Sequence, residues 1–416
     1  MRILVFSQHF WPETFRINDV AKSLLEAGHE VTVLTGQPNY PGGTVFPGYR
    51  AASSGIQSHY GLVIHRVPLV PRGRGGAVRL SANYLSFIAS AVLFGAWRLR
   101  GQRFDVVFVY ATSPLIQALA AIALARLKRC PLVTWVQDLW PESLQATGYV
   151  TNPRLLAAVT RVVRFIYARN ATLLVQSDAF VASVRAMAPS GVPVLVHPNP
   201  GDDEAIPSNE PALRLERGFN VVFAGNLGTA QALDTVLNAA DQLHDLPDLR
   251  FVLIGSGSRS DWLAEQVRLR GLTHVQLPGR FASQQMPAIL AQAQVLLVTL
   301  VDDPAMALTV PSKVQTYLAA GRPIIAAMEG EGARVVLASG AGLVCKAGSA
   351  DALACVVRRL HALPLKDREH MGAAGRRFHS EHYLSSRLTP ALVAHLQAAV
   401  RAADGNKGGP KNQTLR

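Results

Sequence analysis

Short apolar runs alternate along this chain with longer stretches whose apolar positions recur every third or fourth residue, and the alternation is played through twice. Ile3–Ser7 reads as a buried strand, Ile17–Ala27 as a helix stopped at Gly28, and His29–Leu34 as the next strand. That is the β-α-β opening of a doubly wound parallel sheet. Asp105–Tyr110, Leu132–Val136, Leu173–Gln176 and Val194–His197 extend it as strands apolar on both faces, with a helix starting at Pro114. A polar, proline-rich break follows from Pro198 to Pro211. The second series runs Asn220–Gly225, Arg250–Gly257, Val275–Arg280, Val295–Thr299 and Pro323–Ala326. Before its last strand, Val314, Tyr317 and Leu318 mark a short helix. Pro311 and a capping Ser312 hydroxyl introduce it, and Gly321 stops it. The pattern predicts an α/β protein with two Rossmann-like domains, over 1–200 and 201–385, facing each other across a cleft. A return helix over 386–403 packs toward the first domain, and 404–416 reads as a disordered polar tail.

One stretch breaks the alternation. Leu80–Trp97 is almost wholly apolar and ends in Arg98 and Arg100. It falls short of the ~20 apolar residues a bilayer crossing needs, and it is serine-rich. With Tyr84, Phe87, Phe94 and Trp97 beside arginines it fits either a helix lying in a membrane interface or a buried crossover helix.

Charge sharpens that choice. The net charge of +13 is held unevenly: residues 1–200 carry 19 Lys/Arg against 8 Asp/Glu, the rest 22 against 20. No acidic residue lies between Glu30 and Asp105, a span holding Arg50, Arg66, Arg72, Arg74, Arg79, Arg98, Arg100 and Arg103. A one-sided field of this kind is either a solvated face or the mark of an anionic partner: lipid headgroups, a diphosphate or nucleic acid. Hydrophobic content of 49% and charge of 17% exclude a disordered chain. Cys130, Cys345 and Cys355, odd in number and without metal spacing, read as buried thiols of a reducing cytoplasm. Met1–Phe6 reads as a strand and not as an export signal.

The candidate chemistry sits where strands end. The first turn, Ser7–Asn18, lacks GxGxxG, which counts against an NAD enzyme. Gly225-Asn-Leu-Gly228 has the shape of a strand–turn–helix phosphate loop, although tight turns need glycine as well. Lys313 in the first turn of a helix opposes the dipole, which suggests an anion nearby. Gly330-Glu331-Gly332 reads as an acidic turn beyond the next strand. Asp138 ends a buried strand as a catalytic carboxylate or a helix cap, with Glu142 as the weaker catalytic candidate. No Asp-x-Asp and no His/Cys cluster has metal-ligand spacing, so the expectation is no metal and no cofactor.

Val310–Val336, Gly225–Gly228 and Val136–Ser143 resemble the motifs of family 4 retaining glycosyltransferases. These enzymes have the two-Rossmann GT-B fold, and the similar branch builds capsule, colanic acid and O-antigen with fucose- or N-acetylfucosamine-type sugars. The resemblance implies a donor site for a nucleoside-diphosphate sugar, UDP before GDP, formed by Gly225, Asn226, Gly228, Gly255, Arg280, Phe281, Pro311, Ser312, Lys313, Thr316 and Glu331. It implies Asp138 beside the oxocarbenium-like charge, and His9, Glu13, Arg16 and Asn18 on the acceptor side. It further implies a polyprenyl-diphosphate-linked saccharide as acceptor, retention without a metal, and peripheral attachment to the cytoplasmic face of an anionic membrane. Departures are visible. Asn226 and Gln231 stand where the family has Arg and Lys, Thr316 where it has a ribose-binding Glu, Gln137 where many relatives have His, and Phe15-Arg16 where a glycine pair is usual. The diphosphate charge then falls to Lys313, Arg280, Arg334 or Arg16. Two competing classes are a nucleotide-sugar 2-epimerase of the same fold and a basic nucleic-acid binder. Against the latter, no helix-turn-helix, zinc finger or aromatic RNA platform is visible.

Overall fold

The apolar runs pair as parallel strands because side chains buried on both sheet faces leave only neighbouring backbone to take their N–H and C=O groups. The computed structural model describes residues 1–73, 76–146, 152–201 and 212–407. The chain divides into two units, Met1–Asn199 joined by the segment from Ser385 onward, and Pro200–Leu384. Most of the linker read from sequence, 202–211, lies outside the described residues.

The first unit holds β1 (Arg2–Phe6), β2 (Glu30–Thr35), β3 (Gly55–His59), β4 (Leu62–Arg66), β5 (Val106–Ala111), β6 (Leu132–Val136), β7 (Thr172–Val175) and β8 (Val194–Val196). Their order is 3-4-2-1-5-6-7-8, parallel throughout except for the β3–β4 hairpin. The order reverses between β1 and β5, so the loops after these strands diverge and leave a crevice at the carboxyl edge. Helix α1 (Arg16–Glu26) and the Ser385–Lys407 helix bury Ile17, Leu24, Leu392 and Leu396 against Ile3 and Val5. On the opposite face, reached by the alternate residues Phe6 and Leu34, lies α2 (Ala77–Arg98), an unbroken 22-residue helix with a wider turn at Ala91–Gly95.

The second unit holds β9 (Phe219–Asn226), β10 (Leu249–Ser256), β11 (Val275–Gly279), β12 (Val295–Thr299), β13 (Ile324–Ala327) and β14 (Gly342–Cys345). All are parallel in the order 11-10-9-12-13-14, reversing between β9 and β12. Helix α3 (Ser312–Ala320) ends at Gly321, whose φ of 65° is the left-handed cap expected of it.

Several expectations need correction. Ser312 is the first helical residue and caps nothing with its side chain; Pro311 is the N-cap. Glu331 does not sit in an open acidic turn but begins α4 (Glu331–Ala338) and is buried. The return helix runs through Lys407, so Asp404–Lys407 belong to it, and only 408–416 of the expected tail lie outside the described residues. Of the three thiols Cys345 alone is buried, while Cys130 is half-buried and Cys355 exposed. Within the arginine field Arg66 is buried, and Arg74 lies outside the described residues.

Candidate functional site

The second unit carries a pocket of about 440 Å³ at the carboxyl ends of β9 and β10. Two glycines open it. Gly225 pairs with Gly255 across the strands, at φ of 142° and 143°. A Cβ on Gly255 would stand 1.8 Å from the Gly225 carbonyl oxygen, and a Cβ on Gly225 would stand 2.4 Å from Lys313 Cε. The strand ends therefore close on each other and leave a channel for the lysine. Asn226 lines the pocket, and Gly228 leaves room for its amide, since a Cβ there would stand 2.5 Å from Asn226 Nδ2.

Helix α3 turns its first residues into this space: Ser312, Lys313, Thr316 and Tyr317 all line it. Tyr317, which the sequence reading took only as an apolar helix position, fixes the helix to β9. Its hydroxyl accepts from Ala224 N–H at 2.8 Å and donates to the Ala224 carbonyl at 3.3 Å. Among the described residues no side chain caps the helix start, and because Ser312 and Lys313 of its first turn line the pocket, the positive end of the helix dipole lies beside it. Lys313 reaches in, donates to Gln231 Oε1 and rests over the Phe223 ring at 3.9 Å. Burial pushes its pKa down from 10.5 to about 7. Arg280 is the other cation on the wall, and among the described residues no carboxylate lines it. Phe281 offers an apolar face to the pocket while part of its ring packs into the core.

Eight expected donor residues thus share one pocket: Gly225, Asn226, Gly255, Arg280, Phe281, Ser312, Lys313 and Thr316. Gly228, beside the Asn226 amide, and Pro311, the N-cap of α3, do not line it. Glu331 does not line it; its carboxylate is held by Arg334 at 2.5 and 2.8 Å. Arg334, expected as one of the candidates for the diphosphate charge, does not line the pocket either.

In the first unit the loop after β1 is built round a buried carboxylate. Glu13 accepts from the N–H groups of Asn39 (2.8 Å), Tyr40 (2.7 Å) and Phe10 (3.3 Å), and faces His9 Nδ1 at 3.1 Å. His9 stacks on Phe15 at 5.1 Å and turns away from Glu13 a buried Nε2 that has no partner among the described residues. Asn18 braces the same loop, accepting from Trp11 N–H and donating to the Glu13 carbonyl. Arg66 completes the brace by donating to the Gly36 and Trp11 carbonyls. From sequence Arg66 was marked only as one of the arginine field, because its partners come from the loops after β1 and β2 and from Gln57 of β3.

Asp138 lies just beyond β6. It is not a helix cap: it accepts from Ser113 N–H, in the loop after β5, at 2.6 Å. Burial raises its pKa, and the Ser113 hydrogen bond opposes the rise. Arg16 shares its neighbourhood. Burial raises the Tyr110 hydroxyl most, and Asp138 and Arg16 then pull it in opposite directions. Glu142 begins the Glu142–Ala146 helix with Oε2 buried and, among the described residues, without a hydrogen-bond partner. Gln137 is held by Asn199, which donates to its Oε1 at 2.8 Å. Among the described residues no three His, Cys, Asp or Glu side chains group as a metal site.

Comparison with known proteins bears on both units. Residues 14–200 match the family described as "Glycosyl transferase 4-like domain", and residues 218–362 match "Glycosyl transferases group 1". The chain is 28% identical over 306 residues to the probable glycosyltransferase WbjE of Pseudomonas aeruginosa, covering 70% of this chain and 75% of that protein. It is 25% identical over 339 residues to the putative colanic acid biosynthesis glycosyl transferase WcaI of Escherichia coli K12, covering 77% and 82%. Sucrose-phosphate synthase of Thermosynechococcus elongatus superposes with a TM-score of 0.72 at 16% identity, over 96% of this chain and 99% of that one. Anabaena HepE, solved in complex with UDP and glucose, superposes with a TM-score of 0.68 at 15% identity, over 96% and 100%.

Proposed function

We infer, from the premise that the chain belongs to the group 1 glycosyltransferases of GT-B fold, that its second unit binds a nucleoside-diphosphate sugar, UDP-linked before GDP-linked. The sugar passes with retention to a polyprenyl-diphosphate-linked saccharide at the cytoplasmic face of the membrane, in the building of a bacterial surface polysaccharide. The observation that carries this reading is the pocket at β9 and β10, where Lys313, Arg280 and the start of α3 converge without a carboxylate among the described residues. Two cations and a helix terminus worth roughly half a charge match a diphosphate and leave no ligand set there for a divalent ion. WbjE and WcaI, similar over most of their length, support the glycosyl-transfer chemistry, and the colanic acid biosynthesis ascribed to WcaI supports the polysaccharide context. HepE, whose complex holds UDP and glucose, supports UDP.

In such a transfer the sugar–phosphate bond breaks, and the departing diphosphate oxygen takes the acceptor hydroxyl proton on the face it leaves. Lys313, Arg280 and the α3 N–H groups hold the charge that develops on that oxygen. Phe281 offers its ring to the base, and Thr316 a hydroxyl to the ribose. Asp138, held by Ser113, steadies the positive charge at the sugar carbon and orients the acceptor.

The test is a panel of UDP- and GDP-sugars, first by thermal shift and then with a lipid-diphosphate disaccharide as acceptor, products being read by mass spectrometry. One UDP-sugar should stabilise the protein and lengthen the acceptor by one residue, with its anomeric configuration kept. Conversion of the nucleotide sugar alone into its epimer would replace this reading with the epimerase. Stabilisation by no nucleotide sugar at all would end it.

A further inference from the structure

Helix α2 has more apolar surface than the fold uses. It runs 22 residues, about 33 Å at 1.5 Å per residue, and its most apolar 18-residue stretch has a mean hydropathy of 1.4, yet 17% of that stretch is buried. The inner face is fixed. Asn83 donates to the Val70 carbonyl at 2.6 Å and accepts from Gln8 at 2.7 Å, and Phe87 packs on Phe6 with ring centroids 5.6 Å apart. Gly95 lets the helix approach the sheet, since a Cβ there would stand 2.7 Å from Leu34 Cδ2. A helix tied down by these contacts cannot leave the unit to cross a bilayer.

The outer face is apolar and uncovered: Val78 is 86% exposed, Leu85 60%, Leu93 69% and Trp97 53%. In a regular helix the eight residues from Leu85 to Leu93 would turn the second about 80° away from the first. The wider turn at Ala91–Gly95 rotates the chain less per residue and so narrows that divergence, and the exposed apolar positions Val78, Leu85, Leu93 and Trp97 are spread from one end of the helix to the other. The exposed face therefore runs the whole helix. Its flanks are basic: Arg79 stands exposed beside Val78, and Arg98 and Arg100 hold their guanidiniums 5.0 and 4.7 Å from the centre of the Trp97 ring. Arg103 follows, exposed, and the nearest acidic residues in sequence are Glu30 and Asp105.

We propose that the outer face of α2 docks on an anionic lipid bilayer, lying in its plane. Val78, Leu85, Leu93, Phe94 and Trp97 enter the boundary of the acyl chains, while Arg79, Arg100 and Arg103 meet lipid phosphates. Three features select this partner. The exposed apolar face runs the length of a 22-residue helix, as docking in the plane of an interface requires. Trp97 under two guanidiniums is an amphipathic anchor at headgroup depth. A second copy of the chain would bring arginine against arginine across a two-fold axis, so self-association is disfavoured. The proposal extends the transferase reading by naming the surface that meets the acceptor's lipid, but it rests on α2 alone.

The experiment sediments the full-length protein with phosphatidylcholine vesicles, with and without phosphatidylglycerol, and repeats it with L93D/W97D and R79Q/R100Q. Binding should require phosphatidylglycerol and weaken with salt. Each arginine removed should weaken partition about fivefold, so the R79Q/R100Q pair should weaken it about 25-fold, and L93D/W97D should abolish it. The substituted side chains are exposed or at the helix end, so UDP-induced thermal shift and transfer to a water-soluble acceptor analogue should remain at parent levels. Failure of the parent protein to pellet with anionic vesicles overturns the proposal, as does pelleting that both variants retain. A dimer that L93D/W97D converts to monomer overturns it in favour of self-association. Lost transfer with vesicle binding intact would strike the transferase reading instead.

Discussion

Replacing Lys313 by methionine should stabilise the empty protein in acid and weaken its hold on the donor. The two effects have opposite signs because the pocket presents a cation before its anion arrives. Burial lowers the lysine from 10.5 to about 7. Between those values the unfolded chain holds a proton that the folded chain has released. Stability therefore rises with pH through that window and is lowest below about 7, where the ammonium is charged in both states and its burial is fully unfavourable. At about 1.4 kcal/mol per pH unit the window amounts to about 5 kcal/mol. Methionine keeps the length and removes that cost, while giving up the Phe223 contact and the Gln231 hydrogen bond, each worth about 1 kcal/mol. The net gain is about 3 kcal/mol at about pH 6, or roughly 6–10 °C in the melting of a unit this size. Against the donor the balance reverses. Loss of one charge-assisted contact to the diphosphate should cost about 1.5–3 kcal/mol, weakening UDP binding roughly 10- to 150-fold. Scanning fluorimetry at about pH 6 and about pH 10, together with UDP titration by calorimetry, reads both effects. In the parent, donor affinity should fall up to about tenfold per pH unit above about 7, as the lysine must regain its proton to bind. In the variant that slope should vanish. A variant less stable than the parent at about pH 6, or one that binds UDP as tightly, refutes the reasoning.

Gly225→Ala should strain a backbone held at φ 142° and push its Cβ into Lys313 Cε. A loss of about 1–3 kcal/mol in urea unfolding and a tenfold rise in donor KM are expected, and a KM within twofold of the parent would contradict the packing described. Asp138→Asn keeps an acceptor for Ser113 N–H, so the melting temperature should hold while kcat drops on the order of 100-fold with little change in donor affinity. Steady-state kinetics showing more than a tenth of the parent kcat would remove Asp138 from the reaction. Glu13→Ala leaves the N–H groups of Phe10 and Asn39 buried, and that of Tyr40 half-buried, without their acceptor. Urea unfolding should register a loss of about 3 kcal/mol or more, and a loss under about 1 kcal/mol would mean that the loop repacks.

The chain's own pattern determined the two parallel sheets, because strands buried on both faces must be apolar throughout and the helices between them must carry a stripe. Gly321 and Pro323 fixed the end of α3, since only a left-handed residue and a residue without N–H suit those places. The β3–β4 hairpin escaped notice because it lies at the sheet edge with exposed alternate positions, and β14 because it is short and half-buried. The pocket at β9 and β10 was legible as glycines and a lysine in the first turn of a helix, since backbone approach and dipole logic act locally. What Glu331 and Gln231 do was not legible: each is decided by a partner, Arg334 in the case of Glu331 and Lys313 in the case of Gln231. The first pairing takes the carboxylate out of the pocket, and the second brings an ammonium to a position the local sequence leaves uncharged. Sequence alone likewise left α2 either buried or at an interface, for hydropathy counts apolar residues without saying which face a neighbour covers. Only the tertiary structure settled how much of it stands uncovered, because burial belongs to pairs of surfaces and a single segment carries one surface of each pair.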